Sequence, residues 1–343
     1  MSRVAVAAFP SRVRGNPYCD LLYRGLRTAG VEVAPDAELS LGWLVRNRSR
    51  VKVLHLHWPE FYYRGRGGAV TARSVLAYVA CLLGARALRY RLVWTVHNAL
   101  PHERHPVDRL LRWVLVHAAR VVVHGAAARA ELPRAARGAE VIPHGHYIGV
   151  YPDTVEPEEA RRRLRLPPDA PVFLCFGQVR AYKGVVDLVR VFAALPDPAL
   201  RLVVAGRPAT EADGRAVAAA AGADPRIRAD LRHVADEDVQ LYFKAADWVV
   251  LPYRDVLTSG TAVLALSFGR PVIAPRRGCL AELAAHRCGL AYSPDEPAAL
   301  ARALGEAIRT DTRPLRARAL ETARALDWDE IARAYARIFA AGA

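Results

Sequence analysis

Short apolar runs alternate with longer amphipathic segments along the whole chain. The runs are rich in valine, leucine and isoleucine and do not alternate with polar residues, which is typical of strands buried on both faces in parallel sheets. The predicted strands are residues 4–8, 51–57, 92–95, 121–124 and 140–142, then 172–176, 202–205, 227–229, 248–251, 272–274 and 289–292. Helical patterns lie between them. The order predicts an α/β protein with two doubly wound, Rossmann-like domains.

The boundary between the two series of strands is predicted in the segment PHGHYIGVYPDT, residues 143–154. This segment contains prolines, glycines and aromatic residues and has no hydrophobic period. We therefore expect an N-terminal domain of residues 1–150 and a C-terminal domain of residues 151–326. The remaining residues, 327–343, form an amphipathic helical pattern that is expected to pack back on the N-terminal domain.

Composition and charge limit the classes of binding partner that we expect. The 343 residues are 52% hydrophobic and carry a formal net charge of +15, almost all of it from arginine. Such a charge suits an anionic substrate, a membrane surface or nucleic acid. The arginines are diffuse and no aromatic-interleaved basic motif is present, so nucleic acid is not expected. Peripheral membrane contact stays open: residues 75–91 and 110–116, flanked by arginines, could form a basic and apolar face. The alternative, which we favour from sequence, is that both are ordinary buried helices.

Cysteine usage and hydropathy predict the compartment. The five cysteines are scattered and no CxxC occurs, which is typical of a reducing environment and argues against a disulfide framework or a zinc site. The first apolar run is too short for a signal peptide, and the longest, residues 75–85, is too short to span a bilayer. We expect a cytoplasmic location. Association with the inner face of the membrane stays open.

Candidate site residues follow the predicted strands, where ligands bind in doubly wound sheets. In the first series they are Asn16, His55, His57, Trp58, Glu60 and His97, with His144 and His146 near the boundary. Because a strand has a period of two, His55 and His57 should point the same way. A metal pair is one interpretation, but no carboxylate or cysteine cluster completes a ligand set. Packed histidines beside a sugar pocket are the alternative.

The second series contains two loops suited to an anion. The stretch FGQVRAYKG delivers Arg180 and Lys183 directly after an apolar strand, and two such cations suit a diphosphate. The stretch LPYRDVLTSGTAVLALSFGRPVIA places Thr258, Ser259, Gly260 and Thr261 at a helix start. Helix N-termini bind anions, and a cap needs only one hydroxyl, so the further hydroxyls and the glycine favour a phosphate site.

The order and spacing of several motifs resemble the nucleotide-sugar glycosyltransferases of the GT-B fold, specifically the large retaining family 4. The motifs are NPYCDLLYRGLRTAGVEV, HLHWPE, VWTVHN, VIPHG, GQVRAYKG, FGRPVIAP and DWDEIARAY. The resemblance implies two Rossmann-like domains facing a cleft, with the donor nucleotide diphosphate in the C-terminal domain and the acceptor in the N-terminal one. It implies that Lys183 and the amides around Ser259 and Gly260 contact the donor phosphates. His97 matches the family's histidine beside the transferred sugar, and Asn16 falls on a phosphate-facing loop.

The chain departs from the family pattern at two places. Gln178 stands where the family has an arginine, for which Arg180 could substitute. The Glu-x7-Glu signature is missing, because Val256 and Leu264 stand at its two positions. Asp255 is the nearest carboxylate and could take the sugar-binding role.

The resemblance implies a glycosyltransferase that needs no metal and no cofactor besides the nucleotide-diphosphate sugar. His97 and Asp255 are the predicted catalytic residues of a retaining reaction in which the leaving phosphate takes the acceptor's proton. One alternative is inversion on a lipid-linked or polysaccharide acceptor, with His55, Glu60, His144 or His146 as base. Another is a non-catalytic protein that binds a nucleotide sugar. The two Asp-x-Asp sequences, at 236–238 and 327–329, are predicted to be helix caps rather than metal ligands.

Overall fold

The computed structural model describes residues 4–13, 15–35, 37–65, 68–98, 105–222, 224–283 and 286–341. The chain divides into two compact units. Unit 1 comprises residues 1–145 together with 326–343, and unit 2 comprises residues 146–325. Each unit is built around its own parallel sheet.

The sheet of unit 1 has six parallel strands in the order β2-β1-β3-β4-β5-β6. The strands are β1 (Ala5–Phe9), β2 (Glu32–Ala34), β3 (Val53–Leu56), β4 (Arg91–Val96), β5 (Arg120–Val123) and β6 (Glu140–Val141). Every residue of β1 and β3 is buried, as expected for strands inside a parallel sheet. Strand β2 was not predicted, because it is a three-residue edge strand with one buried residue and gives no detectable period.

Helices cover the sheet of unit 1, and their ends carry recognisable sequence signals. The helices are α1 (Tyr18–Thr28), α2 (Leu41–Asn47), α3 (Glu60–Tyr63), α4 (Ala72–Ala87), α5 (Pro106–Ala118), α6 (Ala126–Ala130) and α15 (Trp328–Ala340). Helix α4 begins with a capping box between Thr71 and Ser74. Helix α5 has a proline at its first position, where no N–H is needed. The acid predicted to cap α15 does so: Asp327 accepts from two backbone amides of the first turn.

Helix α15 packs against α1 in unit 1. The two helices share a core with the sheet that includes Tyr18, Leu22, Tyr335 and Phe339. Their close approach depends on Gly25, where an added Cβ would lie 3.1 Å from the Ala332 Cβ and 3.2 Å from the Trp328 carbonyl oxygen. The last helix of the chain thereby places side chains directly behind the carboxyl half of strands β3 and β4.

The sheet of unit 2 also has six parallel strands, in the order β12-β11-β10-β7-β8-β9. They are β7 (Val172–Phe176), β8 (Arg201–Ala205), β9 (Ile227–Asp230), β10 (Trp248–Val250), β11 (Val272–Pro275) and β12 (Gly289–Tyr292). The helices are α7 (Pro157–Arg163), α8 (Val185–Ala193), α9 (Glu211–Ala221), α10 (Val239–Ala245), α11 (Gly260–Ser267), α12 (Cys279–Leu283), α13 (Ala299–Arg309) and α14 (Thr312–Arg324).

One helix cap that was predicted in unit 2 is not made by a side chain. The acidic residues Asp236–Asp238 form a short 3-10 turn that leads into α10, and no side chain among them caps that helix. The acidic turn still lies at the helix N-terminus, where negative charge is favourable.

Candidate active site

A pocket opens in unit 1 at the carboxyl ends of strands β3 and β4. Strand β3 is followed by His57 and Trp58 and then by Glu60, the first residue of α3, while β4 is followed by His97. Helix α5 supplies the opposite wall. The lining residues are His57, Trp58, Pro59, Glu60, Tyr63, Trp94, His97, Asn98, Asp108, Leu111, Arg112 and Leu115. The pocket therefore combines aromatic surface with several ionisable groups.

The two histidines of the pocket contact each other, and the indole of Trp58 stacks on one of them. His57 Nδ1 lies 3.1 Å from His97 Nε2. The Trp58 ring stacks on the His97 ring with centroids 4.1 Å apart and planes 14° apart. Burial lowers the pKa of both imidazoles well below its usual value, and neighbouring histidines lower it further. Both rings are thus neutral hydrogen-bonding groups at neutral pH.

His55 lies behind the pocket and has no exposed surface. Its ring and that of His57 bond the same hydroxyl, with Tyr23 Oη 2.8 Å from His55 Nδ1 and 2.7 Å from His57 Nε2. The period-two prediction that these histidines share a side is confirmed. Burial lowers the pKa of His55 to about 3. The ring is packed among Thr95, Tyr335 and Phe339 and is not among the residues that line the pocket of His57 and His97, so a place for His55 beside a sugar stays a prediction.

Glu60 is the pocket residue whose carboxyl has a pKa near neutral pH. Burial raises the pKa of its carboxyl to about 7, the Arg64 charge opposes this rise, and the Asp108 charge adds to it. Asp108 is itself held by the Tyr63 hydroxyl at 2.8 Å and by Arg64 Nη2 at 2.7 Å. The Arg64 charge is thus largely neutralised by Asp108. Glu60 can consequently exchange a proton in the neutral range.

The other candidates of the first series lie outside this pocket. Asn16 precedes α1, and its Oδ1 accepts from the Tyr18 amide at 3.1 Å; residue 14 of the same loop lies outside the described residues. His144 packs with its centroid 4.9 Å from that of Tyr18, and burial lowers its pKa to about 4. His146 belongs to unit 2, and its Nδ1 accepts from the Ile148 amide.

Unit 2 brings a lysine to the carboxyl end of β7. Lys183 Nζ lies 5.4 Å from the centroid of the Tyr253 ring, and burial lowers the pKa of the ammonium. A Cβ added to Gly177 would be 3.5 Å from this nitrogen and 3.3 Å from Thr261 Oγ1. Gly177, whose φ is +103°, thus lies next to both Lys183 and the start of α11.

The loop that carries Lys183 is fixed by a second glycine. Gly184 has φ +64°, and a Cβ there would lie 2.1 Å from the Pro252 carbonyl oxygen. Only glycine meets both conditions without a shift of backbone. The KG pair of the sequence is explained in this way: the glycine permits the close approach of the loop to the end of β10.

The start of α11 uses one hydroxyl as a helix cap, and a tyrosine hydroxyl contacts two of its hydroxyl side chains. Ser259 Oγ accepts from the Ala262 amide at 3.2 Å, which is the ordinary capping role. The Tyr253 hydroxyl bonds Thr261 and Ser259. The amides of Gly260 and Thr261 have no acceptor within the helix, because first-turn N–H groups never do. Thr258 precedes them and is half-buried.

Five further residues of unit 2 bear on the departures from the family pattern. Arg180 Nε donates to Gln178 Oε1 at 3.0 Å, so the two unusual residues of this loop are paired. Val256 and Leu264 are buried, whereas Asp255 is exposed in the loop before α11. The positions of the missing glutamates are thus occupied by core residues.

Sequence reasoning missed several residues that shape the first pocket. They are Tyr23, Trp94, Asp108 and Arg112, to which His124 is added by its ring contact with His97 at 5.0 Å. Asp108 carries a helix-start signal, but its pairing with Arg64 is a long-range contact that no local pattern contains. Among the described residues, no group of three or more His, Cys, Asp or Glu is arranged to hold a metal ion.

The fold and both sites can be compared with known proteins. A sequence profile described as "Glycosyl transferases group 1" matches residues 170–310. The chain is 34% identical to the GDP-mannose:glycolipid 4-beta-D-mannosyltransferase of Xanthomonas campestris pv. campestris, over 76% of this chain and 70% of that protein. It is 33% identical to the D-inositol 3-phosphate glycosyltransferase of Corynebacterium glutamicum, over 50% of this chain and 43% of that protein.

Solved structures of the same architecture cover nearly the whole chain. Sucrose-phosphate synthase from Thermosynechococcus elongatus aligns with a TM-score of 0.73 at 19% identity, over 99% of this chain and 100% of that one. Anabaena HepE in complex with UDP aligns with a TM-score of 0.73 at 17% identity, over 98% and 99%. The protein has the GT-B fold. It belongs to the group 1 glycosyltransferases and is an enzyme that uses a nucleotide-sugar donor.

The raised pKa of Glu60 gives a stability prediction with a definite sign. A carboxyl whose pKa is about 7 when folded and near 4.5 when unfolded costs the folded state free energy when it ionises. The cost is present above pH 7 and fades as the pH falls towards 5. Glu60→Gln should therefore raise the free energy of unfolding by about 3 kcal/mol at pH 8.5 and by about 1 kcal/mol at pH 5. Denaturant unfolding at the two pH values measures this. Equal effects at both would contradict the assignment.

Proposed function

We propose that this enzyme transfers mannose, or a closely related hexose, from a GDP-sugar to a hydroxyl of a lipid-linked saccharide, with inversion and without a metal ion. Support for the donor and acceptor comes from the relative that covers most of the chain, whose name gives GDP-mannose and a glycolipid as its substrates. That name also specifies a β-mannoside. GDP-mannose carries its sugar as the α-anomer, so a β product requires inversion.

The observation that carries the proposal is the position of Glu60 in a pocket beside His97 and Trp58, where burial raises the pKa of its carboxyl to about 7. Inversion is a single displacement, in which a base takes the acceptor's proton while the acceptor oxygen attacks the anomeric carbon opposite the leaving group. A base with a pKa near the working pH is best suited to that step. Glu60 is the proposed base. His97 supplies hydrogen bonding, and Trp58 supplies apolar surface for a sugar face.

The donor diphosphate is proposed to bind in unit 2. Lys183, Arg180 and the first-turn amides of α11, at Gly260 and Thr261, would offset the charge that develops on the leaving group. Thr258 and Ser259 border these amides. The exposed Asp255 is proposed to bond a sugar hydroxyl, in the role that the missing first glutamate has in the resembling family. In this arrangement fixed protein charges supply the stabilisation that a metal ion gives in other transferases.

Replacing the proposed base tests the catalytic assignment. Glu60→Gln should lower kcat by about 10²- to 10⁴-fold, because the acceptor proton has no base to receive it. In the wild type kcat/KM should fall as the pH drops through about 7, since Glu60 becomes protonated there. That limb should disappear in the variant. Glu140→Gln is the matched control, because Glu140 is a half-buried glutamate of the same unit that lies outside the pocket and pairs with Arg120. Unchanged turnover in Glu60→Gln would rule out this base.

Donor binding tests the phosphate site separately from catalysis. Lys183→Ala should weaken the affinity for GDP by about 10- to 100-fold, because a charge-assisted contact to the phosphates is lost. Isothermal titration with GDP, UDP and ADP measures both the affinity and the preferred base. Lys52→Ala, an exposed lysine of unit 1, is the control. Equal GDP affinity in Lys183→Ala and wild type would remove Lys183 from the site.

We also propose peripheral contact with an anionic membrane, which a lipid-linked acceptor would favour. None of the described helices is long and apolar enough to cross a bilayer. Helices α2, α4 and α5 lie on one face of the sheet, since β3, β4 and β5 are neighbours joined by right-handed crossovers and α2 packs on α4. Their outer surface exposes the apolar residues Leu41, Val45, Leu76, Leu83, Leu110 and Trp113.

The charges on this outer surface support an anionic partner. The exposed charged residues of the three helices are all arginines, namely Arg46, Arg73, Arg86 and Arg109. The single acidic residue of these three helices, Asp108, is buried and paired with Arg64. The sequence favours ordinary buried helices for these segments; their inner sides are buried, whereas their outer sides are exposed. Helix α5 also lines the Glu60 pocket through Leu111 and Arg112, so the same helix would border membrane and acceptor.

Vesicle sedimentation tests the membrane contact. The protein should co-sediment with phosphatidylglycerol-containing vesicles at low salt and be released by high salt, because arginine–lipid attraction is screened. The double variant Leu83→Glu/Trp113→Glu should lose most of the bound fraction. Ile148→Glu, an exposed apolar residue of unit 2, is the control. Equal sedimentation of the double variant and wild type would exclude this face.

A further inference from the structure

A set of charged residues lies at the edge of the unit 2 sheet opposite to the proposed donor site. Asp247 and Arg270 stand in the turns that precede β10 and β11, at the amino ends of these strands. Arg161 approaches from α7 and Arg316 from α14. We call these four residues the amino-edge cluster. The proposed transfer of a sugar makes no use of them.

Asp247 is already engaged by two of the three arginines. Its Oδ1 accepts from Arg316 Nη2 at 2.6 Å, and its Oδ2 accepts from Arg161 Nη2 at 2.8 Å and from the Val172 amide at 2.9 Å. The side chains of Arg161 and Asp247 expose only 13% and 19% of their surface, so these bonds form largely away from water. Three of the roughly four acceptor positions of the carboxylate are therefore used.

Arg270 is the arginine of the cluster that Asp247 does not bond. The residue is 5% exposed, and in the part of the chain that the structure describes neither its Nε nor its Nη1 has a hydrogen-bond partner. Arg316 Nε is buried without a partner among the same residues. Burial and the Arg316 charge lower the pKa of Arg270 to about 10, so Arg270 is still a cation at neutral pH. Three buried nitrogen atoms that donate hydrogen bonds thus lack an acceptor.

The charges of the cluster do not balance. Three arginines face one aspartate, which leaves two positive charges. The other acid that acts on Arg270 is Asp153, and this carboxylate is paired with Lys244 Nζ at 2.6 Å. Buried cations are ordinarily paired, because an unpaired charge in a poorly polar medium is strongly unfavourable. A water molecule could supply acceptors for the nitrogen atoms, but it could not supply negative charge.

We propose that the amino-edge cluster binds a small tetrahedral oxyanion of the phosphate class. A phosphate dianion carries two negative charges, which equals the excess, and its oxygens are strong acceptors for guanidinium groups. Arg316 exposes 34% of its side chain, so a shift of this residue towards solvent opens the cluster to an ion. The bound ion connects α7, α14 and the turn between α11 and β11. This inference goes beyond the proposed function and does not depend on it.

The test uses two variants of Arg270 and two comparison variants. Arg270→Met removes the charge and the donor nitrogens but keeps an unbranched, flexible side chain that suits a buried position. Arg270→Lys keeps the charge but loses the planar fork. Arg313→Met is the matched control, because Arg313 is an arginine of α14 whose side chain is 87% exposed. Lys183→Ala separates this cluster from the proposed donor site, where a phosphate group could also bind.

The measurement is the melting temperature of the full chain at pH 7.5 in sodium phosphate and in sodium chloride of equal ionic strength. A ligand that binds the folded state raises the melting temperature. Wild type, Arg313→Met and Lys183→Ala should each melt about 3 °C higher in phosphate. Arg270→Met should lose most of this rise, and Arg270→Lys should show a smaller rise than wild type.

A third salt identifies the source of the phosphate group. Sodium glycerol phosphate, a phosphomonoester, is compared with inorganic phosphate at equal ionic strength. An Arg270-dependent rise with both salts would support the site and show that it accepts the phosphate group of a larger molecule. A rise with inorganic phosphate alone would support a site for the free ion.

Three results would overturn the proposal. The first is a wild type that melts at the same temperature in phosphate and in chloride. The second is an equal rise in Arg270→Met and wild type. The third is a rise that Lys183→Ala loses and Arg270→Met keeps, because phosphate would then bind at the donor loop. If neither Arg270 variant folds, Arg316→Lys, which keeps a cation beside Asp247 but loses Nε, should reduce the rise instead, and an undiminished rise would count against the site. These melting temperatures are measured without a donor sugar, so their outcome is independent of GDP binding and turnover.

Discussion

Removal of water from the carboxyl edge of the unit 1 sheet is the constraint on which the site depends. Burial prevents the histidines after β3 and β4 from carrying charge, and it raises the pKa of Glu60 to about 7. Burial therefore shifts the pKa of the two residue types in opposite directions. Imidazoles become neutral hydrogen-bonding groups, and a carboxyl becomes a group that can take a proton at neutral pH.

This desolvation is produced by the packing of helices on both sides of the sheet. Helix α15 closes one side against α1, with Gly25 permitting the close contact. Helix α5 closes the pocket side and contributes Asp108, whose pairing with Arg64 limits how far that arginine can stabilise the Glu60 anion. In unit 2 the site is positioned instead by the close approach of backbone segments. Gly184 lets the Lys183 loop approach the end of β10, and Gly177 lies next to both Lys183 and the start of α11.

The two parallel sheets could be predicted from the sequence because runs rich in valine, leucine and isoleucine mark the long strands. The sequence also placed His55, His57 and His97 after or within the correct strands, since strand period and strand ends are local features. It missed β2, which is too short to have a period. It missed Tyr23 and Tyr335 because their partners are far away along the chain; Thr95 and Tyr335 are 240 residues apart. It also read α4 as buried, because a helix that is apolar all round gives no sign of which side faces outward.

The stereochemistry of the product tests the central claim most directly. The enzyme would be supplied with GDP-[1-¹³C]mannose and a lipid-linked saccharide acceptor, and the anomeric carbon of the first product followed by ¹³C NMR. The one-bond carbon–hydrogen coupling distinguishes the two anomers. A base at Glu60 acting in a single displacement predicts a β-mannoside. An α-mannoside would contradict the account, because retention leaves no role for a base that deprotonates the acceptor opposite the leaving group.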